Sequence, residues 1–355
     1  MSILTYKILH NRDFATELRQ ATRVANYAIK HKKCRTTKDV KHIGLKACIS
    51  NQILKKYGGN KKIKSVSSVK LTINGYFVGL DKEKREISVP SLKLKLNYQF
   101  PNSFLKINQI ELDNKYVYVT VTIEDQKKIE VTNFIGVDRN ATGHCAVAAM
   151  PHNGKVFKLG KKAFHTHRMY KKIRSQLQRK GAKRKLKIIR RRESNIIRNL
   201  NHQISRKIVN LAMKHQCGIK LEKLDGIRKS KKVNGKKGKN GESFKSSINT
   251  WEFYQLQSMI EYKSKICGIP VMYIDPRYTS QRCSRCGHIG NRDGKKFSCS
   301  CGHVDHADAN ASFNIALASP EQSMSNDQSA TDRDVADGST DTPQLETQLC
   351  VSEVA

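Results

Sequence analysis

The alternation of hydrophobic and polar residues predicts a mixed domain for the first part of the chain. The segment ILTYKIL is a predicted strand, and apolar residues at helical spacing predict helices over 13–31 and 40–57. From Val66 onward apolar and polar residues alternate in segments such as VKLTI and YVYVTVTI, which are separated by Asn-Gly and Asp-Lys turns. We therefore expect a β-barrel-like domain with a helical insertion over residues 1–131, and a plain α+β domain is the alternative.

A different pattern begins at Thr132. Three short apolar segments, NFIGVDRN, HCAVAAM and KVFKLG, predict a meander of three strands. Helical spacing then covers a basic segment over 155–192, interrupted at Gly181, and a better-formed helix near 197–211. The strand CGIKLE, a helix over 251–266 and the strand PVMYID follow, and a last short helical pattern closes the series. This order of elements is that of the α/β RNase H-like fold.

The charge indicates the kind of partner. The chain carries 67 Lys and Arg against 30 Asp and Glu, a formal net charge of +37, so a polyanion such as nucleic acid is expected to neutralise it. Residues 155–192 hold seventeen Lys or Arg and no acid, which predicts a helical hairpin whose basic side follows a phosphate backbone. A solvated basic surface is the alternative, and an anionic membrane fits less well because the basic helices lack a Trp- and Phe-rich face.

The cysteine distribution and the apolar segments indicate the cellular compartment. Four of the ten cysteines are clustered and the others stand apart, which is typical of a reducing compartment with one metal site and not of a disulfide scaffold. No signal peptide and no apolar run long enough to span a membrane is recognised, so we expect a cytoplasmic, nucleoid-associated protein. The Gly-, Lys- and Ser-rich segment 228–247 is a predicted lid or linker, and the acidic segment 320–355 is predicted to be disordered.

The clustered cysteines predict a zinc ribbon. Two pairs, C-x₂-C and C-x-C, are separated by twelve residues, a pattern typical of Zn²⁺ bound by thiolates. The predicted ligands are Cys283, Cys286, Cys299 and Cys301. Because the second pair is one residue tighter than usual, His303 or His306 is an alternative ligand in place of one cysteine.

Three acids carry the predicted chemistry. Asp138 lies in the first strand of the meander, Glu222 ends a later strand, and Asp308 opens the closing helix. A buried carboxylate needs a partner or a metal, although Asp138 taken alone could also cap a turn. In an RNase H-like fold the three positions meet, and oxygen ligands of this kind select Mg²⁺ or Mn²⁺.

Such a site favours two-metal hydrolysis of a phosphodiester. We expect Asp138 to bridge both ions, Glu222 to hold the ion nearer the attacking water, and Asp308 to complete the other ion's shell.

The motifs GVDRN, LEKLDGIRK, DPRYTSQRCSRCGHIGNR and HADANASFNIA resemble the signature blocks of the TnpB proteins, over residues 132–318. These proteins are encoded by transposons, were long described as OrfB-type transposases, and are related to type V CRISPR effectors. The resemblance implies an RNA-guided endonuclease that binds a guide RNA, recognises a short motif beside its target and cleaves double-stranded DNA with one RuvC-like site. It also implies that Asp138, Glu222 and Asp308 are the catalytic acids and that the four cysteines bind zinc.

Two other functions stay open from the sequence: a non-catalytic nucleic-acid-binding transposon accessory protein, and a guide-independent RuvC-type resolvase. The expected organisation has five parts. These are an N-terminal nucleic-acid-binding domain (1–131), a RuvC-like core with the basic hairpin and lid (132–276), a zinc ribbon (277–304), a final RuvC segment (305–319) and the acidic tail (320–355).

Overall fold

The computed structural model describes residues 1–60, 62–100, 103–140, 143–224 and 253–319. The predicted lid over 228–247, the predicted helix start at Trp251 and the acidic tail lie outside these residues. The described chain divides into two compact units, one over Met1–Glu124 and a second that begins at Asp125. Within the described part, no helix is both long and apolar enough to cross a membrane.

The first unit consists of antiparallel strands around a helical insertion. One sheet has the strand order β1-β7-β6-β2 and the other β3-β4-β5. The strands are β1 (Ser2–Leu9), β2 (Leu71–Asn74), β3 (Gly79–Asp81), β4 (Glu86–Val89), β5 (Leu94–Asn97), β6 (Lys106–Leu112) and β7 (Tyr116–Ile123), and the helices α1 (Ala15–Lys30) and α2 (Ala47–Tyr57) lie between β1 and β2. The helical insertion is thus where the sequence predicted it, and the strands of the expected barrel-like domain form two separate sheets.

Two elements of the first unit differ from the elements that the sequence predicts. The helix expected over 40–57 is divided: a 3₁₀ helix (Thr37–Ile43) ends at Gly44, which has φ +84°, and α2 begins only at Ala47. A left-handed residue stops a helix, and glycine adopts it without steric cost. The strand β6 was not predicted, because its sequence KINQIEL lacks a regular alternation.

The second unit is organised around a five-stranded sheet of order β10-β9-β8-β11-β12. The strands β8, β9 and β10 form the expected antiparallel meander, and β11 runs parallel to both β8 and β12. They span Phe134–Arg139, Ala146–Met150, Lys155–Leu159, Gly218–Glu222 and Val271–Ile274, in the order β8 to β12. Every residue of β9 and β11 is buried, as expected of strands covered on both faces.

Four helices in the described residues accompany this sheet. They are α3 (Lys161–Arg179), α4 (Lys183–Lys214), α5 (Phe253–Ile266) and α6 (Ala307–Leu317). The chain reverses between α3 and α4 at Gly181, with φ +63°, so the predicted hairpin is present. The helix α4 is continuous over 32 residues, and its C-terminal half supplies Ile204, Ile208 and Ala212 to the core.

The segment between β12 and α6 forms a small antiparallel sheet of order β13-β14-β15. Its strands are β13 (Asn291–Asp293), β14 (Lys296–Ser298) and β15 (Val304–His306). Because α6 begins directly after β15, this sheet and the helix that bears Asp308 are continuous in the chain. We call residues 277–304 the ribbon.

Candidate active site

The structure brings the three predicted acids together. Asp138 is the fifth of the six residues of β8, Glu222 is the last residue of β11, and Asp308 is the second residue of α6. Because β8 and β11 are parallel neighbours, their carboxyl ends lie at the same edge of the sheet. The three side chains are 9%, 8% and 1% exposed respectively, and the charges of Glu222 and Asp308 both act on Asp138.

Gly136 allows α6 to approach this edge. A Cβ atom at Gly136 would lie 2.0 Å from the backbone oxygen of Ser312 and 2.4 Å from the nitrogen of Ala316. The Ser312 hydroxyl also donates a hydrogen bond to the backbone oxygen of Val147 on β9, at 2.9 Å. The close packing of α6 on β8 and β9 therefore fixes Asp308 beside Asp138. Sequence reasoning missed Gly136, although a glycine inside an apolar strand is a signal of close backbone approach.

Burial and mutual repulsion dominate the electrostatics of the acids. Burial, followed by the charges of Glu222 and Asp308, raises the pKa of Asp138 to about 7, although Asn140 donates a hydrogen bond to it at 2.9 Å. Burial also raises the pKa of Glu222, despite a 2.6 Å hydrogen bond from the Thr279 hydroxyl. Ionising both carboxylates together therefore requires additional positive charge.

Some positive charge comes from side chains that sequence reasoning did not assign. The Nζ atom of Lys295 lies 2.9 and 2.6 Å from the two carboxylate oxygens of Asp308, and an Nη atom of Arg292 lies 3.5 Å from one of them. The side chain of Lys295 is 39% exposed, so it can withdraw into solvent. Arg139 is buried and donates to the backbone oxygen of Glu222 and, at 2.6 Å, to Gln257.

The donor set fits a hard divalent cation. Three buried carboxylates offer only oxygen ligands, and two of them have raised pKa values, so a bound cation would replace protons that the site otherwise holds. The acids are not yet in a closed ligand geometry. Among the described residues, the cysteines are the one group of three or more potential ligands close enough to share an ion as they stand. Binding at the acids therefore requires side-chain rotation and the withdrawal of Lys295.

The four ribbon cysteines form that group. Their sulfur atoms all lie within 4.8 Å of one another, with 3.8 Å between Cys283 and Cys301 and 3.6 Å between Cys286 and Cys299. The short C-x-C spacing thus does not keep either sulfur out of the cluster. The side chain of Phe297, which is 0% exposed, packs against Cys283, Cys286 and Cys299.

The two histidines considered as alternative ligands lie outside this group. The Nε2 atom of His303 is 3.5 Å from the Ser284 hydroxyl. The Nδ1 atom of His306 accepts a hydrogen bond from the backbone of Asp308 at the start of α6. The geometry therefore favours four cysteines, whose sulfur donors fit Zn²⁺.

The thiols differ in acidity. A hydrogen bond from the backbone N–H of Cys301 is the largest factor that lowers the pKa of Cys299, to about 6. The backbone N–H of His288 acts in the same direction on Cys286, but hydrogen bonds within the cluster and burial outweigh it and raise the pKa of that thiol to about 12. One ligand is therefore ready as a thiolate, the form that binds metal.

Comparisons with known proteins agree with the resemblance seen in the sequence. Residues 253–315 match the family model described as Cas12f1-like, TNB domain. The chain is 45% identical to the CRISPR-associated endodeoxyribonuclease Cas12f1 of Sulfoacidibacillus thermotolerans over 122 aligned residues. The alignment covers 33% of this chain and 26% of that protein. The TnpB-like protein MJ0751 of Methanocaldococcus jannaschii is 28% identical over 240 residues, or 63% of this chain and 76% of that protein.

A solved structure shares the fold. The cryo-EM structure of a Cas12f1–sgRNA–target DNA complex matches with a TM-score of 0.52 and 15% identity, over 85% of this chain and 82% of the other. The match to the Cas12f1 of Sulfoacidibacillus thermotolerans spans about a quarter of that relative's length. The chain is thus a relative of TnpB-like proteins and Cas12f endonucleases, with a Cas12f1-like TNB segment that contains the ribbon and most of α6.

Proposed function

We propose that this protein is a transposon-associated, RNA-guided DNA endonuclease of the TnpB type. The observation that carries the proposal is the convergence of Asp138, Glu222 and Asp308, three buried acids from separate elements, at one edge of the sheet. Relatives named endodeoxyribonuclease and TnpB-like protein support the same activity.

We assign the second unit to the RNase H-like (RuvC) class. An antiparallel meander extended by two parallel strands, in the order β10-β9-β8-β11-β12, is typical of that fold. The ribbon then interrupts the chain between β12 and α6. This arrangement supports a nuclease core with an inserted zinc ribbon.

Each acid has a distinct role in this proposal. Two Mg²⁺ or Mn²⁺ ions, when bound, would activate a water and stabilise the leaving oxygen of a phosphodiester. Asp138, on which the charges of both other acids act, would share in holding both ions. The Thr279 hydroxyl orients Glu222, which would help to hold the ion that activates the water. Asp308, which now binds Lys295, would supply a ligand to the other ion.

The basic hairpin α3–α4 is the proposed nucleic-acid surface. The single acid of the two helices, Glu193, is buried and pairs with Arg174 and, at 2.9 Å, with His167. It therefore links the two helices and does not offset the surface charge. Every residue over 183–192 is at least partly exposed, so the cations of this segment are available to phosphates of guide RNA or target DNA.

The test uses the protein purified with the RNA that accompanies it. This complex is mixed with Mg²⁺ and a plasmid library that bears a matching target beside randomised flanking sequence. We expect linear plasmid with one enriched flanking motif. Asp138→Ala should abolish cleavage while leaving RNA binding intact, and Asp81→Ala, a surface acid near Lys84 in the other unit, is the matched control.

The other outcomes separate the alternatives. Binding of the target without cleavage across the whole library would refute the endonuclease and favour an accessory protein. Cleavage of branched DNA by RNA-free protein would favour a resolvase. Sequencing the accompanying RNA distinguishes a single discrete species, as a guide requires, from a mixture.

A further inference from the structure

We infer that the ribbon positions the catalytic acids, through a hydrogen-bonded link in which Thr279, Asn310 and Asn314 connect the first cysteine pair to Glu222 and α6. The inference rests on the proposed function for the role of the acids and adds a role for the zinc site. Zinc then organises the acid site from within the protein, whether or not the ribbon also touches nucleic acid.

Asn310 is the centre of the link. It lies on α6 two residues after Asp308 and is 0% exposed. Its amide oxygen accepts from the backbone N–H of Ser284 at 2.9 Å, and its amide nitrogen donates to the backbone oxygen of Arg282 at 2.7 Å. These two residues flank Cys283, so one side chain ties the first cysteine pair to the helix that bears Asp308.

Asn314 extends the link by one helical turn. Its amide nitrogen donates to the backbone oxygens of Thr279 and Arg282, at 2.8 and 2.6 Å. Positions 310 and 314 are four apart and share one face of α6. Two asparagines on that face therefore hold the segment 279–284 against the helix.

The same segment reaches the second acid. The hydroxyl of Thr279 donates to Oε1 of Glu222 at 2.6 Å, and Thr279 is itself 9% exposed. Glu222 ends β11 and Asp308 begins α6, so they belong to distant parts of the sequence. The segment 279–284 contacts both Glu222 and α6, and it contains Cys283, the first cysteine of its pair.

The other side of the ribbon also contacts α6. The backbone N–H of Ala307 donates to the backbone oxygen of Lys295 at 2.9 Å, and the Lys295 side chain binds Asp308. Ala307 packs with Phe297 and Cys283 in one small core. Since this core is small, a bound metal would be needed to hold the two cysteine pairs together. Loss of zinc should therefore loosen the contact of Thr279 with Glu222 and the contact of Lys295 with Asp308.

The experiment measures zinc, helix order and cleavage separately. Zinc content, hydrogen exchange of the amides over 307–317 and the Mg²⁺ dependence of cleavage are measured on the full chain with its RNA. The variants are Asn310→Ala and Thr279→Val, with Thr279→Ser as the conservative rescue and Asn291→Ala, an exposed asparagine of the ribbon, as the control.

We expect Asn310→Ala to keep its zinc but to exchange faster over 307–317 and to cleave about tenfold more slowly, because a displaced α6 would misalign Asp308. Removal of zinc from the unmodified protein should produce the same faster exchange. Thr279→Val should raise the Mg²⁺ concentration for half-maximal cleavage, and Thr279→Ser should restore it.

Unchanged exchange over 307–317 after zinc removal, or an Asn310→Ala variant that matches Asn291→Ala in all three measurements, would overturn the inference. If Asn310→Ala fails to fold, zinc removal and the Thr279 pair still decide the question. If the unmodified protein cleaves nothing, the proposed function fails, whereas the exchange measurement still tests the link between zinc and α6.

Discussion

Asp138→Asn should stabilise the second unit while abolishing cleavage. The pKa of Asp138 rises from 3.8 to about 7 in the folded, metal-free protein, so the folded state binds a proton more tightly than the unfolded state does. The free energy of unfolding must then fall as pH rises from about 4 to about 7, because ionisation of the buried carboxyl is costly. Asparagine has a similar shape and never acquires the charge, so the variant escapes this cost.

The size of the effect follows from the pKa. A rise from 3.8 to about 7 corresponds to roughly 4 kcal/mol. Part of this cost belongs to repulsion shared with Glu222 and Asp308, so we expect about 2–4 kcal/mol in favour of Asp138→Asn at pH 8. For a unit of this size that is a rise in Tm of roughly 5–10 °C. At pH 5 the difference should fall to less than half of this value, and it should vanish only below about pH 4, because the carboxyl of the unfolded chain stays ionised down to its pKa of 3.8.

The assay is thermal unfolding at pH 5, 6, 7 and 8 in Mg²⁺-free buffer of high ionic strength, without chelator so that zinc is retained. Addition of Mg²⁺ at pH 8 should raise the Tm of the unmodified protein towards that of the variant, since the cation neutralises the same carboxylates. Asp81→Asn serves as the surface control. Equal Tm values for the unmodified protein and Asp138→Asn across this pH range would refute the electrostatic reasoning.

Three further predictions concern the surroundings of the acids. Gly136→Ala should destabilise the second unit by roughly 1–3 kcal/mol, measured by denaturant unfolding, because a Cβ there overlaps the backbone of α6; unchanged stability would contradict the close packing. Cys301→Ser should lower the zinc content measured by mass spectrometry, whereas Ser300→Ala should keep it, and a full zinc content in the first variant would count against four-sulfur ligation. Lys295→Gln should lower the Mn²⁺ concentration needed for half-maximal binding, measured by electron paramagnetic resonance, because Lys295 competes for Asp308; a higher requirement would show that Lys295 assists metal binding.

Elements with strong local signals were predictable from the sequence. In β7 the alternation YVYVTVTI turns Val117, Val119 and Val121 inward, each 0% exposed, because successive side chains of a strand point to opposite faces. The acids were predictable for a related reason. A buried carboxylate in an apolar strand is costly unless it has a partner or a metal, so Asp138 and Glu222 stand out against their neighbours.

The contacts that complete the site carry no comparable local signal. Lys295 is one of 67 basic residues in the chain, and only the packing of the ribbon against α6 places it on Asp308. Asn310 has a polar side chain in a short helix, and its 0% exposure is a consequence of tertiary structure. The periodicity of a sequence predicts which apolar residues are buried. It does not predict which partner a polar side chain contacts across an interface.

The sheet and the ribbon contribute in different ways to the stability of the three buried acids. Asp138 and Glu222 lie on strands whose apolar neighbours, such as Val137 and Leu221, are 0% exposed, and the burial of these neighbours offsets part of the electrostatic cost. The cations that relieve this cost are held differently. Lys295 and Arg292 belong to the ribbon and are partly exposed, and they can leave without disturbing the sheet. In the proposed mechanism a metal ion would therefore replace a side-chain cation only on the ribbon side of the site. Metal binding should then alter the order of residues 291–298 more than that of β8 or β11.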